Sequence, residues 1–175
     1  MTVTSTRVVV ISDTHLRDPE RCAGPLHWLP EGLIRQLESA DAILHAGDIV
    51  DPGVLERLRR FAPVHAVLGN NDHALAGLLP ETAVVDLAGV RIGMVHDSGR
   101  SHGRAARMKR IFPQCRVVVF GHSHVPLEEE GVEGQLLFNP GSPTQRRRQP
   151  HATFGVLELG SGRILDHRVV IAADS

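Results

Sequence analysis

The sequence predicts an α/β protein of two packed sheets with helices covering their outer faces. Two observations carry that expectation. The first third alternates short apolar runs with helical segments as β-α-β-α-β, which implies a parallel sheet with crossover helices. The rest is rich in strands. About eight to ten apolar runs against three helices is more than one sheet holds in a chain this size, so two sheets are expected.

RVVVISD (7–13) is β-branched and reads as a buried first strand. RDPERCAGPLHWLP (17–30) is rich in Pro and Gly and reads as a loop. EGLIRQLESA (31–40) sets Leu33, Ile34, Leu37 and Ala40 on one helical face. AILHAGD (42–48) is the second strand. DPGVLERLRRF (51–61) is a helix with Asp51 as N-cap and Pro52 at its first position. VHAVLGN (64–70) is the third strand. Residues 82–97 read as two strands turning at Ala88-Gly89, and 101–113 as a helix stopped by Pro113. CRVVVFGH, GQLLFNPGS, ATFGVLELG and GRILDHRVV are four more short strands.

At 175 residues one domain over 1–175 is expected, and the chain is long enough for a proper core. The formal net charge of −1 supplies no global field toward nucleic acid or anionic lipid, so any grip on an anion must be local. No apolar run is long enough to span a bilayer, and the N-terminus reads as a strand rather than a signal peptide. Cys22 and Cys115 form no C-x-x-C pair, so a reducing, cytoplasmic setting is the default.

The polar residues fall where the apolar runs end. VVVIS stops at Asp13-Thr14-His15, AILHAG at Asp48, and VHAVLG at Asn70-Asn71-Asp72. VRIGMV stops at His96-Asp97, VVVFG at His122-Ser123-His124, and QLLF at Asn139-Pro140-Gly141-Ser142. Ligand sites in open α/β sheets gather at the carboxyl ends of strands. These ends can bring two Asp, one Asn and four His into one crevice. With no thiolate nearby, that mixed N/O set suits Mn²⁺, Fe or Zn²⁺ rather than a Cys₄ zinc or an all-oxygen Ca²⁺ site. Seven donors exceed one tetrahedral ion and suit two ions sharing a carboxylate.

The ordered set D-x-H, G-D, G-N-x-D, H and G-H-x-H resembles the calcineurin-like metallophosphoesterase superfamily, and its small prokaryotic phosphodiesterase group in particular. The resemblance spans Asp13 to the NPGS segment. It implies a four-layer α/β/β/α sandwich of two mixed sheets flanked by helices. It also implies that Asp13, His15 and His124 bind one metal, that Asn70, His96 and His122 bind a second, and that Asp48 bridges them. Manganese is the first choice of ion, with Fe, Zn or Ni as alternatives.

Two ions with ionised Asp13 and Asp48 and a bridging hydroxide would leave the core near one positive charge. A water so acidified is a nucleophile at neutral pH. The expected substrate is a small phosphodiester or nucleotide-like molecule, with no stable nucleic-acid binding and no membrane partner. A phosphomonoesterase and a non-catalytic scaffold like the retromer subunit of this fold are the alternatives. Family phosphatases often carry His where Asn71 stands, as general acid on the leaving oxygen. An amide cannot donate that proton, and such transfer typically contributes ~10²–10⁴-fold, which favours diesters with good leaving groups. Asn71 is then expected to bind phosphate.

Asp72 is expected to orient a neighbouring side chain, and Arg146 to grip an anion from the rim. His73 is a substitute acid or a solvated residue, and Asp97 replaces a Gly common in the family. Asn139 and Ser142 are expected to shape the turn behind the site. Trp28 is expected to anchor its loop by packing, and His45 and His65 to be buried and hydrogen-bonded. The 17–30 loop or an edge strand offers a surface for a homodimer.

Overall fold

The structure, a computed structural model, describes residues 5–17 and 28–172. Its first strand, β1 (Thr6–Ile11), shows why the sheet reads as a continuous apolar run. Side chains alternate across a strand. Val9 and Ile11 enter one core, Val8 and Val10 another, and all four are fully buried. On one side of β1 lie β2 (Ala42–His45) and then β3 (Val64–Ala66), both parallel to their neighbours. On its other side lie antiparallel β9 (Thr153–Gly160) and β10 (Arg163–Ile171).

The second sheet begins with the predicted hairpin. β4 (Thr82–Leu87) pairs antiparallel with β5 (Val90–Val95), and Ala88 (φ 51°) and Gly89 (φ 80°) make the turn. Two residues at positive φ match the twist of the strands they join. Parallel to β5 run β6 (Val117–Val119) and then β8 (Leu136–Asn139), with antiparallel β7 (Leu127–Glu130) at the edge. The sequence reading missed β7. Its LEEE run has no apolar alternation because it is an edge strand whose three glutamates face water, a pattern that discourages pairing with another chain.

Three cores separate four layers. α1 (Glu31–Leu37) and α2 (Pro52–Leu58) lay Leu33, Leu37, Val54 and Leu58 on the face of the first sheet that carries Val9 and Ile43. The two sheets meet through Val8, Val10 and Leu44 on one side and Ile92, Met94, Val119 and Phe138 on the other. α3 (Arg104–Ile111) covers the outer face of the second sheet with Met108, against Val118 and Phe120. This is the α/β/β/α sandwich of two mixed sheets. All three helices are shorter than their sequence spans. In α2, Asp51 caps the start by accepting from the Gly53 N–H (2.7 Å), and the last turn tightens as Arg60 and Phe61 bond three residues back. Left-handed Gly103 (φ 71°) delays the start of α3 to Arg104.

Trp28 is half-buried against the α1–α2 core, as expected of a packing anchor. Residues 18–27 of its loop, with Cys22, lie outside the described residues. His65 is half-buried rather than buried.

Candidate metal centre

The parallel registers put the strand ends level: Ile11 opposite His45 and His45 opposite Ala66, then Met94 opposite Val119 and Val119 opposite Phe138. β2 and β3 stop short of the predicted 42–48 and 64–70: Gly47 (φ 94°) turns the chain after β2, and past β3 the Leu68 N–H turns to the Pro80 carbonyl. Asp13 (φ 56°), His15 (φ 47°), Asp48 (φ 56°), His122 (φ 67°) and His124 (φ 58°) all sit in the left-handed region. Side chains other than glycine rarely adopt it, and such strain gathers at functional sites. Here it aims the side chains of consecutive polar residues into one space.

All seven predicted donors meet there, in two groups around one oxygen. In the first group the Nε2 atoms of His15 and His124 lie 3.2 Å apart. Asp13 Oδ1 is 3.7 Å from the former and 3.3 Å from the latter. In the second, Asn70 Oδ1 lies 3.2 Å from His96 Nε2 and 3.0 Å from His122 Nδ1. Asp48 Oδ2 joins them, 3.3 Å from His15 Nε2 and 3.5 Å from His96 Nε2.

Surrounding atoms fix which nitrogen faces inward. His96 Nδ1–H donates to the Ala46 carbonyl (2.7 Å) and His124 Nδ1–H to the Gln145 carbonyl (2.6 Å), leaving each Nε2 toward the donors. Asp13 Oδ2 accepts from Ser12 Oγ (2.7 Å) and the His122 N–H (3.0 Å). Asp13 Oδ1 is buried and has no hydrogen-bond partner.

Electron pairs from carboxylates, an amide and imidazoles thus converge at 3.0–3.9 Å. Such an arrangement needs positive charge among them, and the orphaned Asp13 oxygen fits a metal ligand. Burial pushes both carboxyls up, yet both sit well below the ordinary carboxylate range. For Asp13 the imidazoles of His124 and His15 and the Ser12 hydroxyl overcome it. For Asp48 the overcoming groups are His96 and the Asn71 backbone and side chain. Burial lowers His96, but the facing Asp48 and Asp13 outweigh it and raise it. Divalent cations fit this set, and Asp13, His15 and His124 form one group, and Asp13, Asp48 and His96 another, close enough to hold an ion.

Asp72 is buried, and its role differs from the expected one. Rather than a side chain, it holds backbone: its carboxylate accepts from the N–H groups of Asp48 (2.9 Å), Val50 (2.7 Å) and Gly69 (2.7 Å). It therefore positions the loop carrying Asp48. Asn71 lies against the shared carboxylate, its backbone N–H on Asp48 Oδ1 (2.9 Å) and its Nδ2 on Oδ2 (2.7 Å). Asn139 and Ser142 form the supporting turn as expected. Asn139 Nδ2 donates to the Gly121 carbonyl (3.0 Å) and Ser142 Oγ to the Asp13 carbonyl (2.8 Å). Asp97 is exposed and closes a turn on the Gly99 N–H. Arg146 is exposed, donates to its own loop at the Gln149 carbonyl (2.6 Å), and lines neither cleft beside the donors.

Some supports were not legible in the sequence. The Ala46 and Gln145 carbonyls leave no signal, since any residue supplies a carbonyl. Ser12 could have been found, because it precedes Asp13 at the strand end. His45 is buried as expected and ties two donor loops together. The Gly47 N–H donates to its Nδ1 (3.3 Å), so its Nε2–H donates to Thr14 Oγ1 (3.1 Å). Burial lowers His45 to about 4, which keeps it neutral.

The glycine of G-H-x-H is required by close approach. A Cβ on Gly121 would stand 1.9 Å from Ser12 Oγ and 2.6 Å from Asp13 Oδ2. Gly121→Ala is expected to rotate Ser12 off Asp13 and weaken metal binding by ~10–100-fold, as loss of a ligand's support does. Titration of the metal-free variant with Mn²⁺ checks it, and unchanged affinity would refute it.

The family model for the calcineurin-like phosphoesterase superfamily domain matches residues 6–162. A probable metallophosphoesterase of Methanothermobacter thermautotrophicus is 33% identical over 140 residues, covering 79% of this chain and 77% of that protein. Among solved structures, Vacuolar Protein Sorting 29 of Cryptosporidium parvum aligns with a TM-score of 0.73 at 20% identity, over 95% of this chain and 97% of its own. A structure described as a novel archaeal phosphodiesterase aligns at 0.71 and 21% identity, over 95% and 99%. These two likenesses concern the fold. Given the matched domain and the archaeal relative, the chain belongs to the calcineurin-like phosphoesterase superfamily.

Proposed function

We propose that the protein is a phosphodiesterase that works with two divalent ions, manganese first among them. One observation carries the reading: Asp48 Oδ2 stands between two groups of three donors, 3.3 Å from His15 Nε2 of one and 3.5 Å from His96 Nε2 of the other. When bound, such an ion pair supplies an acidified water nucleophile and clamps the oxygens of an in-line displacement at phosphorus. Asp13, His15 and His124 would hold one ion, Asn70, His96 and His122 the other, and Asp48 both. Asp72 keeps Asp48 in place through the backbone.

Asn71 then changes partner. A carboxylate oxygen offers about two lone-pair sites, and on Asp48 Oδ2 both would go to the ions. The Asn71 Nδ2–H would then be free to donate to a phosphate oxygen of the substrate. An amide has no proton to give the departing oxygen, which favours diesters whose leaving group departs as a stable anion. The name of the archaeal structural neighbour points the same way.

The scaffold reading draws on the likeness to Vacuolar Protein Sorting 29. Turnover decides between them. Mn²⁺-loaded protein is expected to hydrolyse bis-p-nitrophenyl phosphate faster than p-nitrophenyl phosphate. A faster monoester would replace the reading with a phosphomonoesterase, and no turnover of either would favour the scaffold.

A further inference from the structure

Two clefts adjoin the donors and share no lining residue. One, of about 330 Å³, joins Asn70, His96 and His122 to apolar Leu68 and Val95 and to the exposed carboxylates of Glu81 and Asp97. The other, of about 500 Å³, is lined among the described residues by Arg17, Val50, Asn71, His73 and Ala74, none of which carries a carboxylate. It opens beside the shared oxygen, since Asn71 Nδ2 is 2.7 Å from Asp48 Oδ2 and Val50 is two residues from Asp48.

The side chains of Arg17 and His73 are exposed, and neither makes a hydrogen bond or ion pair among the described residues. The described lining residues of the two clefts thus differ in charge. Acidic groups on the first repel an anion. The second offers a permanently charged planar fork with paired donors, an imidazole and an amide.

We infer that the Arg17–His73 cleft is a subsite for a second anionic group of the substrate, a carboxylate or phosphate borne on one side of the scissile phosphorus. This rests on the phosphodiesterase reading and narrows its substrate class to phosphodiesters with an anionic arm. In a chain of net charge −1, discrimination for that arm comes from this local pair of side chains. The apolar and acidic cleft takes the uncharged side of the same molecule.

The test compares two ligands on Mn²⁺-loaded, full-length protein by isothermal titration calorimetry. Butylphosphonate and 4-phosphonobutyrate present the same phosphonate to the metal centre and differ in a terminal carboxylate. 4-Phosphonobutyrate is expected to bind about ten-fold tighter, the size of one charge-assisted contact. In the double variant Arg17→Ala/His73→Ala the preference is expected to vanish, and in Glu81→Gln/Asp97→Asn to persist. All four residues are exposed, so folding should survive, which circular dichroism verifies. Equal affinities in the unsubstituted protein, a preference surviving the Arg17/His73 change, or no binding of either ligand would each overturn the subsite. Heat of binding does not require turnover. A carboxylate preference without diester hydrolysis upholds the subsite and removes the catalytic reading, whereas hydrolysis without the preference removes the subsite alone.

Discussion

Asp48→Asn is expected to lower turnover of bis-p-nitrophenyl phosphate by about 10³-fold or more. The substitution is nearly isosteric, so the fold and the Asn71 backbone contact survive. It removes the negative charge that lies nearest to both donor groups, whose facing atoms are 3.3 and 3.5 Å from Asp48 Oδ2. Lewis-acid stabilisation is worth several kcal/mol, and each 1.36 kcal/mol is about ten-fold in rate. Elemental analysis should show bound metal falling from two ions per chain toward one. A variant that kept both ions and its rate would show that Asp48 does not bridge.

Asp72→Ala should be costly in stability rather than chemistry alone. Its buried carboxylate is the acceptor for three backbone N–H groups, on Asp48, Val50 and Gly69. Alanine leaves all three without that acceptor, at roughly 1–3 kcal/mol for each group that water cannot reach. Urea unfolding of the metal-free protein should register a loss of about 3 kcal/mol or more. Val50 is held at φ 77°, strained for a β-branched residue, so the loop should relax and weaken metal binding as well. Unchanged stability would show the loop to be held by other contacts.

Both expectations depend on features of different legibility. The donors were readable because parallel strands must end at one edge, and every predicted ligand stands directly after an apolar run. Asp48 and the histidines of GHSH could be placed from that rule and the ordered motif. The layered fold followed from the continuous burial of runs such as VVVI and from the strand count. Asp72 was recognised as important, but its partners were not, because backbone donors carry no side-chain signature. Strand ends were overestimated at 42–48, where left-handed Gly47 and Asp48 break the strand, and at 64–70, where the Leu68 N–H leaves the sheet for the Pro80 carbonyl. β7 escaped because LEEE has no apolar face to reveal it. The contrast between the two clefts was hidden too: Arg17 and His73 are far apart in sequence and meet only through the loops after β1 and β3.

The proposed function requires seven side chains to hold two ions through one carboxylate oxygen. Crystals of the Mn²⁺-loaded protein, measured at the manganese absorption edge, test it most directly. Two anomalous peaks are predicted, one among Asp13, His15, Asp48 and His124, the other among Asp48, Asn70, His96 and His122. A single peak, or two peaks that do not share Asp48, would contradict it.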